Sequence, residues 1–425
     1  MGADGNEVLD YRRALEALRN GVPNRDAVRV VGCAQAEIER GFRQNLELSD
    51  EHLEKDKQVR GMLISGDFGA GKSHLLEYLQ HLALVENFVC SRVVISKETP
   101  LSDPAKVFKA AIESAQVPGL SGQAIQEIAA RLRRDSADYA GLRRWCERHA
   151  ATHRPLFAAT LLLHERLGGD PEMVEKIVGF WSGEPLGVGP IRRGLKQAGA
   201  DFPHRVKSVP ARELALHRFS FIPQLFLAAG YRGWVLLLDE IELIGRYSLL
   251  QRAKSYGELA RWLGWLRSEQ YPGLVTVAAI TDDFDAAVLD EKGDYSSLRE
   301  KLEAKEREEY RVIAARAETG MRIIRRESVA LVPPDAHHLR ETYLHLKQVH
   351  ATAYGWEPPD IPMAELATTR RMRSHVRRWI TQWDLLRLFP YSAPRTEETA
   401  LHPTYVEDIE VEKPPPEEPP PEDAQ

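Results

Sequence analysis

Residues 59–79 read VRGMLISGDFGAGKSHLLEYL, and this stretch decides the fold. Met62, Leu63 and Ile64 form a short apolar run of the kind that makes a buried strand; a glycine-rich turn follows, and a helical pattern opens at Lys72 and Ser73. The spacing of Gly66, Gly71, Lys72 and Ser73 satisfies G-x-x-x-x-G-K-[ST]. Glycines at 66, 69 and 71 permit backbone conformations closed to other residues, so the amides of Gly66, Asp67, Phe68, Gly69, Ala70 and Gly71 and of the helix start at Lys72, Ser73 and His74 converge on one point. The positive end of the new helix adds to that field, and an anion is the expected occupant. In this arrangement Lys72 reaches the β and γ phosphates of a nucleoside triphosphate, and the Ser73 hydroxyl ligates a bridging Mg2+. ATP and Mg2+ are therefore the expected ligands.

Further along, residues 234–242 read WVLLLDEIE. Five apolar residues and then two acids describe a buried parallel strand whose carboxyl end delivers carboxylates to the ligand crevice, a Walker B strand. Asp239 is expected to hold magnesium through water, and Glu240 to orient and polarise the attacking water. Residues 274–283, LVTVAAITDD, form another apolar strand. Its Thr281 and Asp282 stand either as a sensor of the γ phosphate or as a cap on the next helix. Arg267, just before that strand, is read as an arginine finger toward a neighbouring subunit or as a helix-end residue satisfying carbonyls. Residues 88–96 and 328–334 supply two more strands, which gives a five-stranded α/β nucleotide-binding core.

Composition sets bounds on the rest. A chain of 425 residues, 43% hydrophobic and 28% charged, has the make-up of a water-soluble protein of two or three domains. A net charge of −6 excludes a wholesale basic nucleic-acid binder and leaves only local patches for such contact. The three cysteines, Cys33, Cys90 and Cys146, fit neither a disulfide framework nor a zinc site, and point to a reducing cytoplasm. The N-terminus lacks the apolar core of a signal peptide, and the longest apolar runs are too short to span a bilayer. A cytoplasmic location with no membrane contact is expected.

The organisation expected is N-terminal helices and an adenine-side segment in 1–58, the ATPase core in 59–103 and 231–335, a helical insertion in 104–230, a C-terminal helical domain in 336–403, and a disordered acidic proline-rich tail in 404–425. Helical periodicity marks 7–20 and 34–48, with a connection at 28–32 in which Val30 and Val31 either close over the adenine or pack between helices. In the insertion the pattern marks helices at 104–115, 122–133, 137–150, 155–167 and 211–229. Residues 182–199 read as turns and then a basic segment, with Arg192, Arg193 and Lys196 on a solvated face or in contact with nucleic acid or a partner. His337, His338, His345 and His350 lack metal-ligand spacing and are read as surface or packing residues. In 368–386, Met372, Val376, Trp379 and Trp383 form an apolar stripe among arginines. Arg371 first and Arg370 second are candidates for reaching the γ phosphate, while Arg370, Arg373, Arg377 and Arg378 either contact a phosphate backbone or form a solvated basic face.

Five stretches together, ALEALRNGVPNRDAVRVVG (14–32), GDFGAGKSHLLEYL (66–79), GYRGWVLLLDEIELIGR (230–246), QRAKSYGELARWL (251–263) and TAYGW (352–356), resemble the ATP-binding proteins of bacterial phage-exclusion (BREX) systems, of the BrxD type. The resemblance implies a P-loop NTPase of AAA+ (ASCE) type, with a five-stranded parallel sheet, a large helical insertion and a C-terminal helical small domain. It also implies ATP and Mg2+ as ligands and a role in defence against phage DNA, beside a helicase or other BREX component. At 368–373 the chain carries TTRRMR in place of the threonine, proline and single arginine of that pattern. Lys72, Ser73, Asp239 and Glu240 are all present. The leading expectation is an ATPase that remodels or loads a DNA-processing partner, with homo-oligomerisation as the setting for an arginine finger; the alternative is a slow-hydrolysing ATP-dependent scaffold or switch.

Overall fold

The computed structural model describes residues 5–21, 24–120, 124–150, 155–361, 372–389 and 405–408. Helices α1 (Gly5–Asn20), α2 (Arg25–Val31) and α3 (Ala36–Glu54) lead into strand β1 (Met62–Ser65), helix α4 (Lys72–Val85) and strand β2 (Val89–Val94). The connection expected at 28–32 is helical through Val31, because the Asn24 side chain accepts the Ala27 amide and starts a helix there.

Between β2 and the next strand lie α5 (Pro104–Glu113), α6 (Ala124–Arg131), α7 (Ala137–Ala150), α8 (Pro155–Arg166), α9 (Pro171–Ser182), α10 (Val188–Gln197) and α11 (Ala211–Ala228). The sequence reading, helical almost throughout 103–230, sets no bounds for α9 and takes the stretch of α10 for turns and a basic segment. The first is announced by Asp170, which caps it ahead of Pro171, whereas α10 is hidden by its own glycines. Strand β3 (Trp234–Asp239) then runs into a 3₁₀ turn (Ile241–Arg246) and α12 (Leu249–Trp262). After β4 (Leu274–Ile280) come a π-helical turn (Asp285–Glu291), α13 (Asp294–Glu303), α14 (Glu308–Arg326), β5 (Ser328–Ala330), α15 (Ala336–Tyr354) and α16 (Met372–Leu388). No helix among the described residues is long and apolar enough to cross a membrane.

The five strands make one parallel sheet in the order β2-β3-β4-β1-β5. Alternation along β3 divides its side chains between the two faces. Trp234, Leu236 and Leu238 face a core built with helices of the insertion and with α12 and α14. Val235 and Leu237 face a second core with Ile38, Phe42 and Leu46 of α3 and Leu75, Leu76 and Leu79 of α4. The insertion is thus partly the sheet's own covering layer: Phe219 of α11 stacks on Trp234 at 5.3 Å between ring centroids, and Phe108 of α5 meets the same ring edge-on. The indole N–H of Trp234 donates to Ser91 Oγ at 2.8 Å, which satisfies that buried group.

Helices α12 and α14 approach at backbone distance. A Cβ at Gly320 would stand 2.0 Å from the Tyr256 carbonyl oxygen, so only glycine permits this crossing. A third core joins the two ends of the chain: Leu15 and Leu18 of α1 and Ala27 of α2 pack with Tyr343 and Leu346 of α15 and Trp379 of α16. Arg19 of α1 bonds Asp384 of α16 at 2.8 Å, and Arg12 Nε donates to the Ala353 carbonyl at 2.7 Å. The N-terminal helices therefore divide between two layers. Helix α3 serves the sheet, and α1 with α2 completes the C-terminal helical cluster.

Candidate nucleotide site

The carboxyl ends of the parallel strands open on one side of the sheet, and loop 66–71 lies there between β1 and α4. Gly69 (φ 81°) and Gly71 (φ 106°) take left-handed backbone. Gly71 precedes α4 with no side-chain cap, so the first amides of that helix stay available to a ligand. Lys72 Nζ lies under the loop and donates to the Gly66 carbonyl at 2.8 Å. His74 Nε2 stands 2.9 Å from the Gly32 carbonyl, and burial lowers the pKa of the ring. The neutral imidazole therefore carries its proton on Nε2 and ties α4 to the turn after α2.

A cavity of about 340 Å³ runs from this loop to the C-terminal helices. Phe68, Gly69, Ala70, Gly71, Lys72, Ser73 and His74 form its floor, and Asp239, Glu240 and Glu242 enter from the end of β3. Ala17, Leu18, Val31, Met372 and Val376 give it an apolar lobe. Gln35 clasps the far wall through two bonds of 2.9 Å with the Val332 backbone. Of the two valines expected on the adenine side, Val31 lines the cavity; Val30 does not, and it packs into the core of the terminal helices.

The acids at the end of β3 are placed by contrasting means. Asp239 is buried and accepts from Arg92 Nη2 at 2.7 Å, and Arg92 also pairs with Glu77 at 3.2 Å. Glu240 turns sharply away, at φ 60° and ψ 39°, with its amide on Asp239 Oδ1 at 3.0 Å. A glutamate held in left-handed backbone costs about 1–2 kcal/mol, a strain that accumulates at functional sites. Burial and then the Asp239 charge raise the Glu240 carboxyl pKa.

Three residues at the site escape sequence reasoning. Glu242 lines the cavity with its Oε2 enclosed and unpartnered, and burial pushes its carboxyl up to about 7. Arg92 was visible only as a lone arginine inside a β-branched strand. Arg373, grouped by sequence with backbone-contacting arginines, lines the cavity and donates to the Gly21 carbonyl at the end of α1. Arg377 similarly donates to the Arg19 carbonyl at 3.2 Å, so both arginines hold the C-terminus of α1.

The Glu242 titration carries a sign. Its folded pKa, about 7, lies above the ordinary 4.5, so its favourable contribution is complete below about pH 4.5 and is lost as pH rises toward 7. Glu242→Gln is expected to raise the melting temperature of the nucleotide-free protein at about pH 8 and to change it less at about pH 5. Thermal melts at the two pH values check this.

Other predicted residues lie apart from the cavity. Thr281 is buried at the end of β4 with its hydroxyl 2.6 Å from that of Tyr405, and Asp282 is exposed beside it. Arg267 is exposed in the turn after α12. That turn lies toward the amino ends of the strands, where Gly61 N donates to the Leu263 carbonyl, on the side of the sheet away from the glycine loop. Arg192, Arg193 and Lys196 stand on the exposed face of α10, with Arg192 donating to the Val206 carbonyl at 2.7 Å. Arg370 and Arg371 lie outside the described residues, and so do the tail residues 409–425. Residues 405–408, assigned by sequence to a disordered tail, are docked on the core. Arg378 is partly buried on α16. Among the described residues no group of three or more His, Cys, Asp or Glu could hold a metal unaided.

No curated protein matches the chain. The sequence model described as "BREX system ATP-binding protein BrxC/D" matches residues 9–132 and 206–378, which make up most of the chain and leave out α7 to α10 of the insertion.

Proposed function

The chain belongs to the BREX system ATP-binding protein BrxC/D family, and from that premise we propose that it is a BrxD-type, AAA+ (ASCE) ATPase of an anti-phage system. In this reading ATP hydrolysis in the cytoplasm drives remodelling or loading of a DNA-processing partner, a helicase or another BREX component. The observation that carries it is the meeting of Lys72, Ser73, Asp239 and Glu240 in one cavity that continues into an apolar lobe. The position of β4 between β1 and β3 supports the AAA+ assignment.

The donor set fits magnesium held largely by phosphate. Ser73 and Asp239 would hold the ion together with phosphate and water oxygens, so a cage of protein ligands is not required. Bound there, the ion neutralises phosphate charge. Lys72 would neutralise the β and γ phosphates, Glu240 would accept the proton of the attacking water, and Arg373 would face the nucleotide from the C-terminal helices. Thr281 and Asp282 as sensor, Arg371 or Arg370 as second sensor and Arg267 as finger in a homo-oligomer belong to the same proposal. The exposed face of α10 is the basic surface proposed for DNA.

One observation favours the slower switch as the second reading. Asp239 is already paired with Arg92 through Oδ2, so the Arg92 guanidinium competes with magnesium for this carboxylate, which suits a protein that turns over only when a partner engages it.

The test is steady-state ATP hydrolysis by the purified full chain with Mg2+, with and without double-stranded DNA, across a range of protein concentrations. A rate that rises with DNA or concentration is expected. Lys72→Ala removes hydrogen bonds to charged phosphates, each about 1.5–3 kcal/mol, and is expected to weaken ATP binding by about tenfold or more. Tight ATP binding with negligible turnover selects the switch, and absence of nucleotide binding overturns both readings.

A further inference from the structure

Residues 405–408, Tyr-Val-Glu-Asp, lie in a groove between the 3₁₀ turn that follows Glu240 and the π-helical turn that follows β4. The Tyr405 ring seats over Gly245, where a Cβ would come within 2.7 Å of it, and meets Phe284 edge-on at 5.9 Å. Its hydroxyl donates to Asp283 Oδ1 at 2.8 Å, so the Thr281 hydroxyl, 2.6 Å away, donates to it in turn. Two arginines then read the acids. Arg252 Nη1 reaches Glu407 Oε1 at 2.6 Å; Arg246 Nη2 bonds Asp408 Oδ2 at 2.5 Å, and the Asp408 amide donates to the Arg246 carbonyl at 3.1 Å. Val406 between them is 73% exposed.

From this geometry we infer that the groove is a peptide-docking site for an aromatic residue followed, after one residue, by two acids, filled in cis by residues 405–408 and entered by a partner protein carrying the same chemistry. Three features support exchange over permanent closure. Arg252 is held by Asp294 along its Nε and Nη2 edge and by the Tyr247 carbonyl at Nη1, so the groove keeps its form when Glu407 leaves. The contacts that remain are one ring, the two hydrogen bonds of its hydroxyl, and two ion pairs whose carboxylates are partly exposed to solvent. The backbone pairing between Asp408 and Arg246 is the main-chain bond an extended peptide makes with a receptor, independent of its origin.

The site adjoins the nucleotide cavity through one of its walls. The 3₁₀ turn follows Glu240 and carries Glu242, and the docked tyrosine hydroxyl accepts a hydrogen bond from Thr281. The link to hydrolysis rests on the ATPase reading of those residues; the docking does not.

The test uses the full chain bearing Tyr405→Ala, Glu407→Gln and Asp408→Asn, with a fluorescent peptide of residues 402–410 followed by anisotropy in the absence of nucleotide. The cis segment competes at an effective concentration of about millimolar, so the peptide is expected to bind the triple variant at least about tenfold more tightly than the wild type. Adding Arg246→Gln should weaken it several-fold, and a scrambled peptide should not bind. Equal binding to wild type and triple variant, equal binding of the scrambled peptide, or no binding to a triple variant that melts cooperatively overturns the inference. Should the triple variant not fold, hydrogen exchange on the wild type decides. Excess peptide should speed exchange of the Asp408 amide, and unchanged exchange overturns the inference. Because no nucleotide is present, a protein that binds the peptide and hydrolyses no ATP separates this site from the ATPase reading.

Discussion

Replacing Glu240 by glutamine is expected to lower ATP turnover about 100-fold to 1,000-fold while ATP binding is retained, the range associated with losing a positioned proton acceptor. The side chain changes by one atom and keeps its volume, so the left-handed backbone at φ 60° and the amide bond to Asp239 Oδ1 persist. What disappears is the ability to take a proton from water. Glu242 is the competing acid, since it lines the same cavity and its carboxyl is pushed up to about 7. Glutamine at 242 is expected to reduce turnover far less, because Glu242 lies deeper, with its Oε2 enclosed. Single-turnover hydrolysis and nucleotide titration of both variants separate the roles. Near-normal turnover in Glu240→Gln together with loss in Glu242→Gln would transfer the role to Glu242.

The second large effect is on stability. Asp294→Ala is expected to destabilise the fold by about 3–5 kcal/mol, the cost of leaving one partner of a buried ion pair alone. Asp294 is buried at the first turn of α13, where its charge also meets the helix dipole. It accepts from Arg252 Nε at 2.7 Å, Arg252 Nη2 at 2.8 Å and the Tyr256 hydroxyl at 2.8 Å. Removing it leaves Nε and Nη2 of the Arg252 guanidinium unpaired between α12 and α13, with only Nη1 still held by Glu407 and the Tyr247 carbonyl, and leaves a buried phenol without its acceptor. Replacing both partners, as Arg252→Met with Asp294→Leu, should cost less than the single change, because desolvation of both charges is relieved together. Urea unfolding of the three proteins measures the difference. An Asp294→Ala midpoint equal to that of the wild type would show that the pair carries no stability.

How far the sequence reaches can be judged from particular residues. Strand β1, the glycine loop and α4 were legible because their signal is local: an apolar run, glycines at fixed offsets and a helix start within a single stretch. The same holds for β3 with Asp239 and Glu240, and for α7, whose bounds of 137 and 150 follow from periodicity alone. Helix α10 was lost to local reasoning because its glycines mimic a loop, and packing against α8 overrode that propensity.

What the amino-acid sequence determined by itself is therefore most of the elements, and the glycine-loop and acidic residues that meet in the cavity. The tertiary structure alone decided that α1 and α2 join α15 and α16, that Arg92 holds Asp239, that Arg373 and Glu242 enter the cavity, and that residues 405–408 reach Thr281. Periodicity and motif spacing record what a residue meets within a few turns of its own chain. Asp239 beside Arg92, Gly21 beside Arg373 and Thr281 beside Tyr405 lie more than a hundred residues from them, and only the packing of the sheet and its helices brings them together.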